Sequence, residues 1–193
     1  EVLLHETEDI PLGLYECPQP YHRLISPDLF GWAAERGRFC FHKDTTCRLA
    51  PIAEKCRRAH GTPLTIFNAN CPTLLASLRA GVQGYCGTAA NYCPELFAWL
   101  CAHAADNTAA VEASGRFISI TDFLVRAGYP LSAKVFLAQQ GMPIAPVCRS
   151  AVRALTEEER RALVDFGAVL RNWPAVLGVG SHAMRSAASC LAP

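Results

Sequence analysis

The sequence predicts an α/β fold built on a parallel sheet, and three observations carry that reading. Short β-rich runs alternate with helix-period segments four times between Pro11 and Asp106, the pattern of parallel strands joined by right-handed helical crossovers. Capping and stop residues punctuate the helical segments: Ser26-Pro27 opens one, and Gly37, Gly61 and Gly81 each end one. Finally, 193 residues with 51% hydrophobic content suit one domain, or a large part of one, with a sizeable core.

In order, residues 1 to 9 read as the last turn of a helix (Val2, Leu3, Leu4) running into an acidic loop. Pro11 to Tyr15, PLGLY, is a buried strand closed by Cys17, Pro18 and Pro20, because proline cannot continue a regular element. Ser26 caps a helix with Pro27 at its first position and Leu29, Phe30, Trp32 and Ala33 on its apolar face, and Gly37 stops it. A second strand, Phe39 to Phe41, ends in Lys43, followed by the turn and cap formers Asp44, Thr45 and Thr46. Leu49, Ile52, Ala53 and Cys56 fall at helical spacing, giving an amphipathic helix whose basic residues Lys55, Arg57 and Arg58 are expected on a solvated outer face.

Leu64 to Phe67 is a third strand, ending at Asn68 and followed by a short helix within Cys71 to Ala80. Gly84 to Gly87, GYCG, is a tight fourth strand, and Pro94 opens the next helix, PELFAWLCAHAAD. After Asp106 the strands stop. Helices are expected over Thr108 to Ala127, Leu131 to Gln140 and Thr156 to Asn172, the last opening with a capping box at Thr156 and Glu159. The predicted organisation is therefore a strand-helix region over 1–106, a helical extension over 107–172, and an Ala-, Ser- and Gly-rich tail over 173–193 without an assigned role.

Composition excludes several function classes. Eighteen Lys and Arg against 17 Asp and Glu, with no basic stripe, imply neither nucleic acid nor an anionic membrane as partner. Arg79, Glu95 and Asp106 interrupt the most hydrophobic third, so no run reaches a membrane span. The first ten residues lack a signal peptide's basic start and apolar centre. Ten cysteines show no C-x-x-C spacing and several fall on apolar faces, as buried reduced thiols do, so a reducing, cytoplasmic location is expected. Six histidines show no metal-ligand spacing, and no metal site is expected. His42 should point away from Lys43 and pack under a helix, since neighbours on a strand face opposite ways.

The chemistry centres on Lys43. At the carboxyl end of a parallel strand it sits where catalytic side chains collect. A lysine held among apolar neighbours there loses solvation as an ammonium, which frees an amine for attack on a carbonyl. On this stretch alone a lysine that snorkels from the strand end into water is the favoured reading, since most lysines are exposed. Tyr15 ends the preceding strand, 28 positions earlier, so the two can face each other across one mouth. A phenol beside an imine-forming lysine can shuttle the protons that carbinolamine formation, dehydration and aldol chemistry require. From geometry alone, Tyr15 fits a rim residue with its hydroxyl in water just as well.

LYECPQPY, FHKDTT, GTPLTIFNAN, GVQGYCGTAANYCPEL and YPLSAK, in that order, resemble the second half of the dihydrodipicolinate synthase and N-acetylneuraminate lyase family, the pyruvate-dependent class I aldolases. The resemblance runs from about Ile10 to about Asn172. It implies a (β/α)8 barrel of the triosephosphate isomerase type, of which this chain would supply the last four strand-helix units and a C-terminal helical extension. Such a barrel takes about 250 residues and eight strands, so something else would have to complete the fold. The resemblance also implies that Lys43 forms a Schiff base, that Tyr15 is the proton relay, and that Cys86 and Gly87 of the G-x-x-G element lie near the bound substrate. The substrates would be a 2-oxo acid and an aldehyde, the only covalent group the imine on Lys43 itself with no cofactor, and the assembly a homo-oligomer.

Three departures limit the carry-over. The family's carboxylate-binding hydroxyl pair belongs to the half of the barrel outside this chain, and Thr45 and Thr46 are not that pair. The synthase branch has an arginine five positions after the relay tyrosine, where this chain has Pro20, with Arg23 three residues further on. A Gly-Asp pair after the seventh barrel strand is here Ala69 and Asn70. The reading is thus a Schiff-base lyase or aldolase, with a non-catalytic half-barrel remnant as the alternative.

Overall fold

The computed structural model describes residues 1–179. Two compact units divide the chain, Glu1–Gly87 and Thr88 onward. The sheet belongs to the first. The helix opened by Pro94, which the sequence reading grouped with the strands, falls in the second.

The first unit runs α1 (Val2–Glu6), β1 (Leu12–Tyr15), α2 (Pro27–Glu35), β2 (Phe39–Asp44), α3 (Leu49–Ala59), β3 (Thr65–Asn68), α4 (Leu74–Arg79) and β4 (Gly84–Tyr85). The four strands form one parallel sheet in the order β1-β2-β3-β4, the sequential order of consecutive barrel units. Local chemistry sets the helix ends. The Ser26 hydroxyl accepts the Leu29 N–H, Pro27 stands at the first position of α2, and Gly37 leaves the helix at φ +68, a conformation that costs glycine little.

One face of the sheet packs against the helices. Phe30, Ala33 and Ala34 of α2, Phe39 of β2, Ile52 and Ala59 of α3, Ile66 of β3, and Leu64 and Val82 form the buried core, with Leu12 and Leu14 against it. The opposite face carries Gly13, Tyr15, Phe41, Lys43, Thr65 and Phe67, each at least partly accessible; the Phe41 and Phe67 rings meet there at 5.1 Å.

A register shift decides which residues of β2 reach that open face. Leu12 pairs with Phe39, but Gly13 pairs with Phe41, so Cys40 is an extra residue. In a regular strand Phe39, Phe41 and Lys43 would share a side. The shift instead leaves Phe39 in the core with Leu12 and turns Phe41 and Lys43 to the side of Gly13 and Tyr15, as one inserted residue reverses the alternation.

The second unit is helical: a 3-10 turn (Thr88–Asn91), α5 (Pro94–His103), α6 (Ala109–Arg126), α7 (Leu131–Gln139), α8 (Glu157–Arg171) and α9 (Trp173–Val176). Its core gathers Tyr92, Phe136 and Phe166, with ring centroids 5.1 to 6.1 Å apart. The buried Tyr92 hydroxyl donates to the Val125 carbonyl at 3.2 Å and lies 2.9 Å from the Ser132 hydroxyl, so the phenol enters the core with its polar end satisfied. The expected capping box at Thr156 and Glu159 is formed. Of the expected tail, the first residues make α9, and 180–193 lie outside the described residues. Among the described residues no helix is long and apolar enough to cross a membrane.

Candidate active site

Tyr15 ends β1 and Lys43 stands one residue before the end of β2, and the two are register partners. The Lys43 Nζ lies 4.4 Å from the centre of the Tyr15 ring, within cation-π range. Lys43 is half-buried and Tyr15 is 50% exposed. An amine and a phenol thus share one accessible mouth at the carboxyl edge of the sheet. A surface cavity of about 580 Å³ lined by Cys56, His60, Thr62, Thr65 and Gln83 opens near the starts of the strands instead and includes neither residue.

The two strand ends are fastened from behind. Glu16 follows Tyr15, while His42 and Asp44 flank Lys43; all three side chains are buried on the helix side. Lys55 of α3 reaches among them, its Nζ 2.6 Å from Glu16 Oε1, 2.7 Å from Asp44 Oδ2 and 3.2 Å from His42 Nε2. An ammonium has three N–H bonds, and here two carboxylate oxygens accept from it while a ring nitrogen stands within reach of the third. The other ring nitrogen of His42, Nδ1, is buried without a hydrogen-bond partner.

The expectation that Lys55 lies on a solvated face is therefore corrected: it is 1% exposed. The buried residues of α3 are Ile52, Lys55 and Ala59, spaced i, i+3, i+7, while Leu49 is 41% exposed. Acidic partners just after β1 and at the end of β2 draw the inward stripe around the helix from the purely apolar positions. Burial alone would push the Asp44 carboxyl up, but hydrogen bonds from His42, Lys55 and Thr46, with the Lys55 charge, hold it well below the usual carboxylate range. The donor atoms of Glu16, His42 and Asp44 lie within 4.8 Å of one another, a grouping able to hold a metal ion. The Lys55 ammonium already stands at bonding distance from all three, so a side-chain cation takes that place.

The loops over the mouth are tied to the same residues. Glu16 Oε1 also accepts the Ile25 N–H at 2.8 Å, and Oε2 accepts the Thr45 N–H at 3.1 Å. Thr45 Oγ1 donates to the Glu16 carbonyl at 2.5 Å and lies 2.8 Å from His22 Nε2. Asp44 Oδ1 accepts from the backbone and hydroxyl of Thr46. Beyond β3, Asn70 spends its side-chain oxygen on the Thr73 N–H and hydroxyl, fixing the loop where the family has Gly-Asp.

The remaining predicted residues stand further off. Cys86 and Gly87 follow β4, two strands along from β2, on the order of 10 Å at usual strand spacing. The Cys86 N–H donates to the Asn68 carbonyl at 2.9 Å, and a Cβ on Gly87 would meet the Tyr85 hydroxyl and the Ala69 carbonyl. Arg23 is exposed, with its guanidinium 5.9 Å from the Tyr21 ring centre. Cys47 is exposed at φ +56. Sequence reasoning missed Glu16, Lys55 and His22. Only Lys55 left a signal, its helical neighbours Ile52 and Ala59 both being apolar.

With this geometry established, the comparisons place the chain. Residues 1–167 match the Dihydrodipicolinate synthetase family. The chain belongs to that family. Among solved structures, a Pseudomonas aeruginosa protein provisionally named a dihydrodipicolinate synthetase is 24% identical, with a TM-score of 0.73 over 86% of this chain and 57% of its own. A chloride-inhibited dihydrodipicolinate synthase from Acinetobacter baumannii, complexed with pyruvate, is 20% identical, with a TM-score of 0.71 over 92% of this chain and 59% of its own. YagE, a prophage protein of the family from E. coli K12 in complex with pyruvate, is 17% identical, with a TM-score of 0.74 over 88% of this chain and 59% of its own. No curated protein sequence matches the chain. The family's fold is the triosephosphate isomerase-type barrel, and this chain spans 57–59% of the length of these three solved relatives.

Proposed function

We propose that this chain carries the Schiff-base lysine of a lyase or aldolase acting on pyruvate or a related 2-oxo acid. The observation that supports the reading is the pairing of Tyr15 and Lys43 across adjacent strand ends, with amine and phenol ring 4.4 Å apart. The neutral Lys43 amine adds to the C2 carbonyl, and a proton reaches the new alkoxide to give a carbinolamine. Loss of the hydroxyl as water leaves the iminium on Nζ. Removal of a C3 proton gives an enamine, whose carbon attacks an aldehyde, or which forms when a carbon-carbon bond breaks in the reverse direction. Tyr15 is the group that carries these protons. No cofactor enters, because the iminium itself is the electron sink.

Pyruvate in the complexes of two family structures supports the substrate class. Within this reading the four units are the last four of the barrel, Cys86 and Gly87 lie along the substrate's path, and the donors for its carboxylate come from outside these residues. The enzyme works as a homo-oligomer without nucleic acid or membrane. The alternative, a non-catalytic half-barrel remnant, draws on the share of the relatives' length that the chain spans. Borohydride reduction with pyruvate separates the two by adding mass at the peptide containing Lys43 or leaving it unchanged.

A further inference from the structure

We propose that the buried set Glu16, His42, Asp44 and Lys55 is a positioning device for the Tyr15–Lys43 pair, with Lys55 as its keystone. The inference rests on the Schiff-base reading and adds to it residues that never touch the substrate. Its ground is placement. Strand alternation puts Tyr15 and Lys43 on the open face, so Glu16, His42 and Asp44, their immediate neighbours in the chain, point to the helix side. There a single ammonium joins all three, with N–O and N–N separations of 2.6, 2.7 and 3.2 Å.

Each carboxylate also grips the backbone beyond its strand. Glu16 holds the N–H groups of Ile25 and Thr45, and Asp44 holds that of Thr46. The loops leaving β1 and β2 therefore cannot shift independently of each other. An apolar core would hold the strands together equally well, and buried ions cost more to desolvate than apolar groups. What ions add is direction: short, charge-assisted bonds fix relative position more narrowly than packing does. A displacement of about 1 Å at reacting atoms can cost about 10²-fold in rate, so the reaction is sensitive to the quantity this set controls.

The test compares rates of borohydride trapping by pyruvate at Lys43 in the protein expressed from its complete reading frame. One arm is a compensated variant, Lys55→Met with Glu16→Gln and Asp44→Asn, which removes the buried charges together so that none is stranded. The other is Glu16→Gln alone, which keeps the volume and an acceptor for Lys55 but loses the bond to the Thr45 N–H. For variants whose melting profile is retained, the saturating trapping rate should fall about 10- to 100-fold, with the pyruvate concentration for half-saturation little changed. A structural role alone would not produce that split. A folded Glu16→Gln protein trapping at the wild-type rate would overturn the positioning role, as would a folded compensated variant doing so. Wild-type protein that is never labelled at Lys43 would instead overturn the Schiff-base reading, and this inference with it.

Discussion

Tyr15 carries one hydroxyl beyond what Phe would offer, and half of its surface is open. Tyr15→Phe should therefore leave the thermal midpoint unchanged while slowing turnover by about 10²- to 10⁴-fold, the usual contribution of a general acid-base group. Stopped assays beside melting curves check both halves, and an unchanged rate would make Tyr15 a rim residue. Asp44 makes a second prediction. In the folded chain its carboxyl resists protonation far below the ordinary 3.8, so on acidification the unfolded chain takes up the proton first. The stability this group contributes is complete above its unfolded value and is lost as the pH falls toward the folded one. Acid titration of the melting midpoint should show a decline setting in below about pH 4 to 5, and Asp44→Asn should flatten that limb. These residue-scale features were unevenly legible. The strand-end lysine announced itself by the turn formers behind it, whereas Lys55 reads as one more helix-surface cation until its acidic partners, distant in sequence, are folded beside it.

Helices and strands were mostly legible, because their boundaries rest on local chemistry. Ser26-Pro27 starts α2 and the capping box starts α8, as their side chains dictate. Thr156→Ala should cost about 1 kcal/mol through the lost cap, measurable by denaturant titration; no change would mean α8 is held by packing alone. The extra residue at Cys40 was not legible, since F-C-F-H-K alternates as well without it and only pairing to β1 exposes the shift. That shift matters to the site, because it separates Phe39 from Phe41 and Lys43 across the sheet. The α3 stripe was misread for a related reason: apolar periodicity alone takes no account of a buried cation matched by buried anions.

At the scale of the molecule, the four-stranded parallel sheet in sequential order and the family match over residues 1–167 agree with the order of motifs along the chain. Specificity within the family is a finer matter. Pro20 stands where the synthase branch is expected to have an arginine, and Arg23 lies over Tyr21. The complete protein should therefore be a poor condenser of pyruvate with aspartate semialdehyde, lacking a charge-assisted carboxylate contact worth about 1.5–3 kcal/mol. A coupled assay checks this. Robust activity that falls on Arg23→Ala would show Arg23 serving in that place.

A nucleophilic Lys43 is open to peptide mapping after borohydride reduction with pyruvate. The mass increase should be confined to the peptide containing Lys43 and should disappear in Lys43→Arg, whose guanidinium stays protonated and cannot add to a carbonyl. Labelling that falls on another lysine, or that survives Lys43→Arg, would contradict it.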